Sequence, residues 1–211
     1  MLKVYNNKME PLYNEDKKIV HKNALWHKVV TGILFNPQNN CLYFQTIYPK
    51  ESYGFDRPDY IDFSIGGHVE NEETVEQALY REAKEEISID VDKYNFLGIR
   101  ICNCDPAPNY RIREFQFFYG LETSQKLKEM SFENSDSEVK SVLEIDIDDF
   151  LSILMKEKST IPANEMLLDK QTRTGIYSEN VLVTAEQIIP DYFNDKSILE
   201  KILTIKSMMR L

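Results

Sequence analysis

The 211 residues are 42% hydrophobic and 11% aromatic, enough apolar material for one sizeable core, so a single domain over 1–211 is expected. A net charge of -10 and a pI near 4.9 exclude a broad electrostatic grip on nucleic acid or an anionic membrane. They leave room for a small phosphorylated ligand, because bound cations invert the local field. Three cysteines (Cys41, Cys102, Cys104), a polar start from Met1 to Asp16, and no run near the ~20 apolar residues of a membrane span predict a cytoplasmic protein with reduced thiols.

In chain order, the polar first 20 or so residues read as a short hairpin or an extended arm. Trp26 to Phe35 is β-branched and aromatic, a strand, and Asn36 to Asn40 is turn chemistry. Cys41 to Ile47 alternates and completes a hairpin. Tyr48 to Tyr60 is a loop, and Ile61 to Ile65 a short strand running into Gly66 and Gly67. Thr74 to Ile87 is the clearest helix. Thr74 and Gln77 make a capping box, and Val75, Leu79, Ala83 and Ile87 form one buried stripe. Ile89 to Ile101 contains a strand, as do Arg113 to Glu122 and Glu138 to Ile145, with a polar loop from Lys126 to Asp136. Ile147 to Glu157 is a helix. Lys158 to Asn164 reads as a break, Glu165 to Lys170 as one helical turn, and Thr184 to Tyr192 and Lys196 to Arg210 as helices. Interleaved strands and helices predict a mixed α/β (α+β) fold with a core over about 20–155, an N-terminal arm and a helical C-terminal extension over 156–211.

The helix that carries chemistry has Glu82, Glu85 and Glu86 at i, i+3 and i+4, which puts three carboxylates on one face. Like charges at that spacing destabilise a helix, so a hard divalent cation such as Mg²⁺ is a reason to keep them; a solvated acidic face is the plainer one.

The flanking residues extend the pattern. Gly67, Glu73, Arg81, Glu82, Glu85, Glu86 and Ile89 recur at the spacing of the Nudix box, which this segment resembles. Ser88 stands where that box has glycine, at the end of the helix. The segments Trp26 to Val30 and Asp62 to Val69 look like the Nudix branch related to isopentenyl diphosphate isomerase. The resemblance implies a Nudix-type α/β/α sandwich, a mixed sheet flanked by helices. It implies a hydrolase that cuts the diphosphate linkage of a small organic or nucleoside diphosphate with Mg²⁺ or Mn²⁺. By carry-over, Glu82, Glu85 and Glu86, with the carbonyl of Gly67, are the metal ligands, and Glu73 and Arg81 are the pair that ties the loop to the helix. The proton acceptor is Glu85, or Glu114 near the start of a later strand, whose plainer role is an edge-strand surface carboxylate.

His68, Arg111 and Arg113 are candidate phosphate contacts, with local or surface roles as alternatives. His27 reads as structural, Cys102 and Cys104 as strand residues on one side, and Tyr48, Tyr53 and Phe55 as loop packing or a base- or prenyl-stacking surface. Two other functions stay open. An isomerase needs a cysteine just before the Gly-His of the loop, where this chain has Gly66; a non-catalytic nucleotide sensor usually loses the box carboxylates. The expected partner is a small diphosphate, with no nucleic acid and no membrane. The apolar stripe of the last helix covers either the core or a second subunit, which leaves a homodimer open.

Overall fold

The computed structural model describes residues 1–48, 60–88, 93–107, 110–133, 135 and 138–210. Most of the predicted loop from Tyr48 to Tyr60, with Tyr53 and Phe55, and the first residues of the Ile89–Ile101 segment lie outside them.

The polar N-terminus has more structure than its composition predicts. Leu2–Tyr5 (β1) and Pro11–Glu15 (β2) form an antiparallel hairpin, followed by a short helix, Lys17–Lys22 (α1). The side chain of Asp16 caps α1 by accepting from the Lys18 amide. Leu2, Val4 and Val20 bury one another in a small satellite cluster, which is enough to order a segment this polar.

His27–Asn36 (β3) and Cys41–Ile47 (β4) are joined by the predicted Asn-rich turn, but they pair only beside it, through Phe35 with Leu42 and Asn36 with Cys41. Beyond that point they diverge. Asp62–Phe63 (β5) pairs with β4, and Ile65–His68 (β6) with β3. Ser64, between the two, fills the opening: its hydroxyl accepts from the Leu34 amide at 3.1 Å and donates to the Gly32 carbonyl at 3.4 Å. A hairpin expected from alternation is thus a fork, and the fork admits the loop that precedes the acidic helix.

That helix, Val75–Ile87 (α2), begins with the predicted capping box of Thr74 and Gln77 and buries Ala78, Leu79, Ala83 and Ile87. It ends at Ser88 in the left-handed conformation, φ 54° and ψ 27°. Tyr94–Ala107 (β7) and Tyr110–Glu122 (β8) form a long antiparallel hairpin, and β8 runs parallel to β3. Val139–Asp146 (β9) pairs with β4, and Ile147–Leu154 (α3) follows, its N-terminus capped by Asp146.

The C-terminal part corrects the sequence reading. The expected break and helical turn are one strand, Thr160–Leu168 (β10), antiparallel to both β9 and Gly175–Thr184 (β11). Pro162 is tolerated because it faces only Leu182, while pairing with β9 begins at Asn164, so its missing N–H costs no bond on that side. Ile161, Ala163, Met166 and Leu168 point inward and supply the burial that overrides local propensity. Thr184 to Tyr192 is not a helix but two short 3₁₀ turns, and only Lys196–Met208 (α4) is helical.

The main sheet runs β11-β10-β9-β4-β3-β8-β7, with β5 and β6 beside β4 and β3. Alternate residues feed two cores. Ile33, Phe35, Leu42 and Phe44 meet α3 and α4 on one face; Val30, Leu34, Cys41 and Tyr43 meet α2 on the other. Helices therefore cover both faces, as predicted. In α4, Ile198, Ile202 and Ile205 are buried against the first core, so the apolar stripe is used within the chain, although Leu203 remains exposed.

The Ser88 hydroxyl is buried without a hydrogen-bond partner, and its backbone adopts a conformation that costs a residue with a Cβ. Ser88→Gly is expected to raise unfolding free energy by about 1 kcal/mol in urea titration, without a change in m-value. An unchanged or lower midpoint would mean that the left-handed cap is not strained.

Candidate functional site

The acidic face of α2 is assembled against the loop by one guanidinium. Arg81 donates from Nε to Glu73 Oε1 and from Nη2 to Glu73 Oε2, both at 3.0 Å, a bidentate pair across the loop. Its Nη2 also reaches the His68 carbonyl at 3.0 Å, and its Nη1 contacts Glu82 at 2.7 Å and Glu85 at 3.1 Å. Glu73 in turn accepts from the Glu70 amide, which closes the loop on itself. Arg81 thereby joins the loop to the helix.

The three carboxylates differ in setting. Glu82 is largely buried; burial pushes its carboxyl above the ordinary range, and the Arg81 charge beside it opposes that shift. Glu86 is fixed by the Gly66 amide at 2.7 Å and the Gln45 amide at 3.2 Å. Glu85 is the open one, with a side chain 53% exposed. Gly67 sits directly on Glu82: a Cβ added there would lie 1.8 Å from Glu82 Oε1, so glycine is needed for the approach. Oxygen donors of this number and charge suit a hard cation that keeps part of its water shell, such as Mg²⁺ or Mn²⁺.

The other predicted residues are distributed elsewhere. Glu114 is not an edge-strand surface carboxylate: it is 7% exposed and lies 3.5 Å from Nε2 of His27. Burial pushes its carboxyl up, but the facing His27 and the Gln116 amide, which donates at 2.8 Å, outweigh this and hold it below the usual range. His68 turns away from the α2 carboxylates, its Nε2 3.0 Å from Nε2 of His21 and its ring stacked on His27. Arg111 is exposed, while its carbonyl accepts from Nδ1 of His21 at 3.2 Å. Arg113 is engaged at the end of the β7–β8 hairpin by Asp105 and the carbonyls of Cys104 and Ile112. Cys102 and Cys104 do lie on one side of β7, with sulfurs 3.9 Å apart.

His21, His27, His68 and Glu114 thus form a second cluster, whose four ligand-type atoms lie within 4.8 Å of one another. The sequence does not mark His21 and suggests only a structural role for His27, because they belong to different elements at no helix- or strand-like metal spacing. One signal was present: the chain has only three histidines, and all three meet here. Burial, then the neighbouring His27 charge, lowers the His21 pKa and favours a neutral imidazole.

Two measurements probe the α2 face. Gly67→Ala should force Glu82 aside and weaken Mn²⁺ binding by at least about tenfold in a calorimetric titration, with the fold retained by circular dichroism; unchanged affinity would detach Gly67 from the metal site. For Glu73, burial raises the carboxyl pKa, but Arg81 and the Glu70 amide bring it below its unfolded value. Its stabilisation is therefore full above the unfolded pKa of about 4.3 and lost as pH falls through the folded value. Glu73→Gln should destabilise at pH 7, and the gap to wild type should close in acid; a gap independent of pH would contradict the ion pair.

The chain is similar in structure to DR0079 from Deinococcus radiodurans, with 20% identity, a TM-score of 0.48, and coverage of 74% of this chain and 89% of that one. It is also similar to MutT from Aliivibrio salmonicida and Vibrio cholerae, with 23% identity, a TM-score of 0.33, and coverage of 46% of this chain and 62% of that one. No curated protein matches the sequence. The NUDIX domain matches residues 25–166, two thirds of the chain, including the fork of β3 from β4 and the acidic helix, and the protein therefore belongs to the NUDIX family.

Proposed function

We propose that the protein is a Nudix hydrolase that cleaves the diphosphate linkage of a small organic or nucleoside diphosphate. The observation that carries this reading is the placement of Glu82, Glu85 and Glu86 along one face of α2, where Arg81 holds Glu82 and Glu85, Gly67 packs against Glu82, and the Gly66 and Gln45 amides hold Glu86. In the reading, these carboxylates and the Gly67 carbonyl hold Mg²⁺ or Mn²⁺. The ion, when bound, neutralises phosphate charge and makes a bound water more acidic.

The side chains divide the remaining work. Glu86, held by the Gly66 and Gln45 amides, is a fixed ligand with little freedom to move. Glu82 is positioned by Arg81 and by the absence of a side chain at Gly67. Glu85 faces solvent and has the access that accepting a proton from an attacking water requires. Glu114 is a poorer base, since it is buried against His27 and committed to Gln116. Of the two arginines, Arg113 is already engaged by Asp105, whereas Arg111 is exposed. The net charge of -10 favours a small metabolite that brings its own cations over a nucleic-acid polymer. Among the described residues no helix is long and apolar enough to cross a membrane.

Wild type and Glu85→Gln should be incubated with a panel of diphosphate compounds, with Mg²⁺, with Mn²⁺ and with chelator, and the products followed by mass spectrometry. The expected outcome is metal-dependent cleavage that Glu85→Gln lowers by about 10²- to 10⁴-fold while substrate still binds. A compound bound intact or isomerised, with no cleavage, would sink the hydrolase reading.

A further inference from the structure

The geometry points to a second metal site in this protein, chemically distinct from the carboxylate helix: a nitrogen-rich, closed site for a transition metal of the Zn²⁺ type, formed by His21, His27, His68 and Glu114. It clamps the N-terminal arm to the sheet. This goes beyond hydrolysis and does not depend on it.

The backbone dictates which ring nitrogens are available. Nδ1 of His27 lies 2.9 Å from the Leu25 carbonyl, and Nδ1 of His21 lies 3.2 Å from the Arg111 carbonyl. A carbonyl only accepts, so both Nδ1 atoms carry hydrogen, and in the neutral rings both Nε2 atoms present lone pairs. Metal-binding histidines are oriented by this kind of N–H to carbonyl contact. The His27 ring is 1% exposed and its Nε2 has no hydrogen-bond partner, although it lies 3.5 Å from Glu114 Oε1. A buried lone pair facing a buried carboxylate is costly unless a proton or a metal ion stands between them.

The spacing fits such a cation. A tetrahedral Zn²⁺ with bonds of about 2.0–2.1 Å holds its ligands about 3.3 Å apart. Here the pairs His21–His68 and His27–Glu114 are separated by 3.0 and 3.5 Å, and the whole set lies within 4.8 Å. The hydrogen between the His21 and His68 rings moves to Nδ1 of His68 or to solvent when the metal takes its place. Imidazole ligands favour Zn²⁺, Co²⁺ or Ni²⁺ over Mg²⁺, opposite to the preference of the α2 face.

Four protein ligands fill a tetrahedron, which is the pattern of a structural site. They come from α1, β3, β6 and β8, so one ion would cross-link four elements. The outer shell is in place: Gln116 fixes Glu114, Arg100 donates to Gln116, and Arg100 also pairs with Asp195 at the start of α4. The two sites are kept apart by strand alternation, because Gly67 meets Glu82 while the next side chain, His68, points to the other face of β6.

The test uses the full-length protein, stripped with chelator and titrated with Co²⁺ while its visible absorption is followed, then with Zn²⁺ as competitor. One equivalent of Co²⁺ should give an intense tetrahedral band that Zn²⁺ displaces and millimolar Mg²⁺ does not. His27→Gln should weaken Co²⁺ binding at least about 100-fold, and Glu85→Gln should leave it unchanged. Zn²⁺ should also protect the N-terminal arm from proteolysis. Should His27→Gln fail to fold, ¹⁵N-resolved spectra of the three wild-type histidines decide: one equivalent of Zn²⁺ should shift all three Nε2 signals. Absence of the band, its survival in folded His27→Gln, its loss in Glu85→Gln, or unshifted histidine signals would each overturn the site and leave a proton-bridged histidine pair in its place.

Discussion

The arrangement of this protein turns on the guanidinium of Arg81. Three glutamates at i, i+3 and i+4 repel one another, and a loop carrying glycines has little to hold it in place. Arg81 answers both problems from one position. It bridges Glu82 and Glu85 along the helix, grips Glu73 bidentately across the loop, and binds the His68 carbonyl on β6. Its own pKa is raised, first by hydrogen bonding to Glu73, which favours the charged guanidinium. A lysine offers one point charge and could not make these contacts together.

The fork between β3 and β4 makes that geometry available. A continuous hairpin would have used the inner edges of both strands. The divergence leaves them for β5 and β6, with Ser64 satisfying backbone groups at the crotch. β6 then lies between two acid-bearing surfaces, and its alternation gives Gly67 to the carboxylate helix and His68 to the histidine cluster. Neighbouring residues of one short strand thus face two donor sets, one all-oxygen and one rich in nitrogen.

The C-terminal part ties these features to the rest of the fold. β10 and β11 widen the sheet beyond β9, and α4 closes the face opposite α2 with Ile198, Ile202 and Ile205. Asp195, which caps α4, also holds Arg100, and through Gln116 the contact reaches Glu114. The start of the last helix is therefore linked by side chains to the histidine cluster.

By itself the sequence determined the acidic helix, its capping box and its buried stripe, because each is set by residues within one or two turns of one another. It also determined the Glu73–Arg81 pair and the alternating strands that feed both cores. Tertiary structure alone decided the rest. Lys158 to Asn164 reads as a break and Glu165 to Lys170 as a helical turn, yet Thr160 to Leu168 is one strand because β9 and β11 flank it. Glu114 reads as a surface carboxylate, but the parallel pairing of β8 with β3 sets it opposite His27. His21, His27 and His68 lie on three separate elements, so no local pattern marks them, and only the docking of α1 and the fork of β3 from β4 bring their rings together.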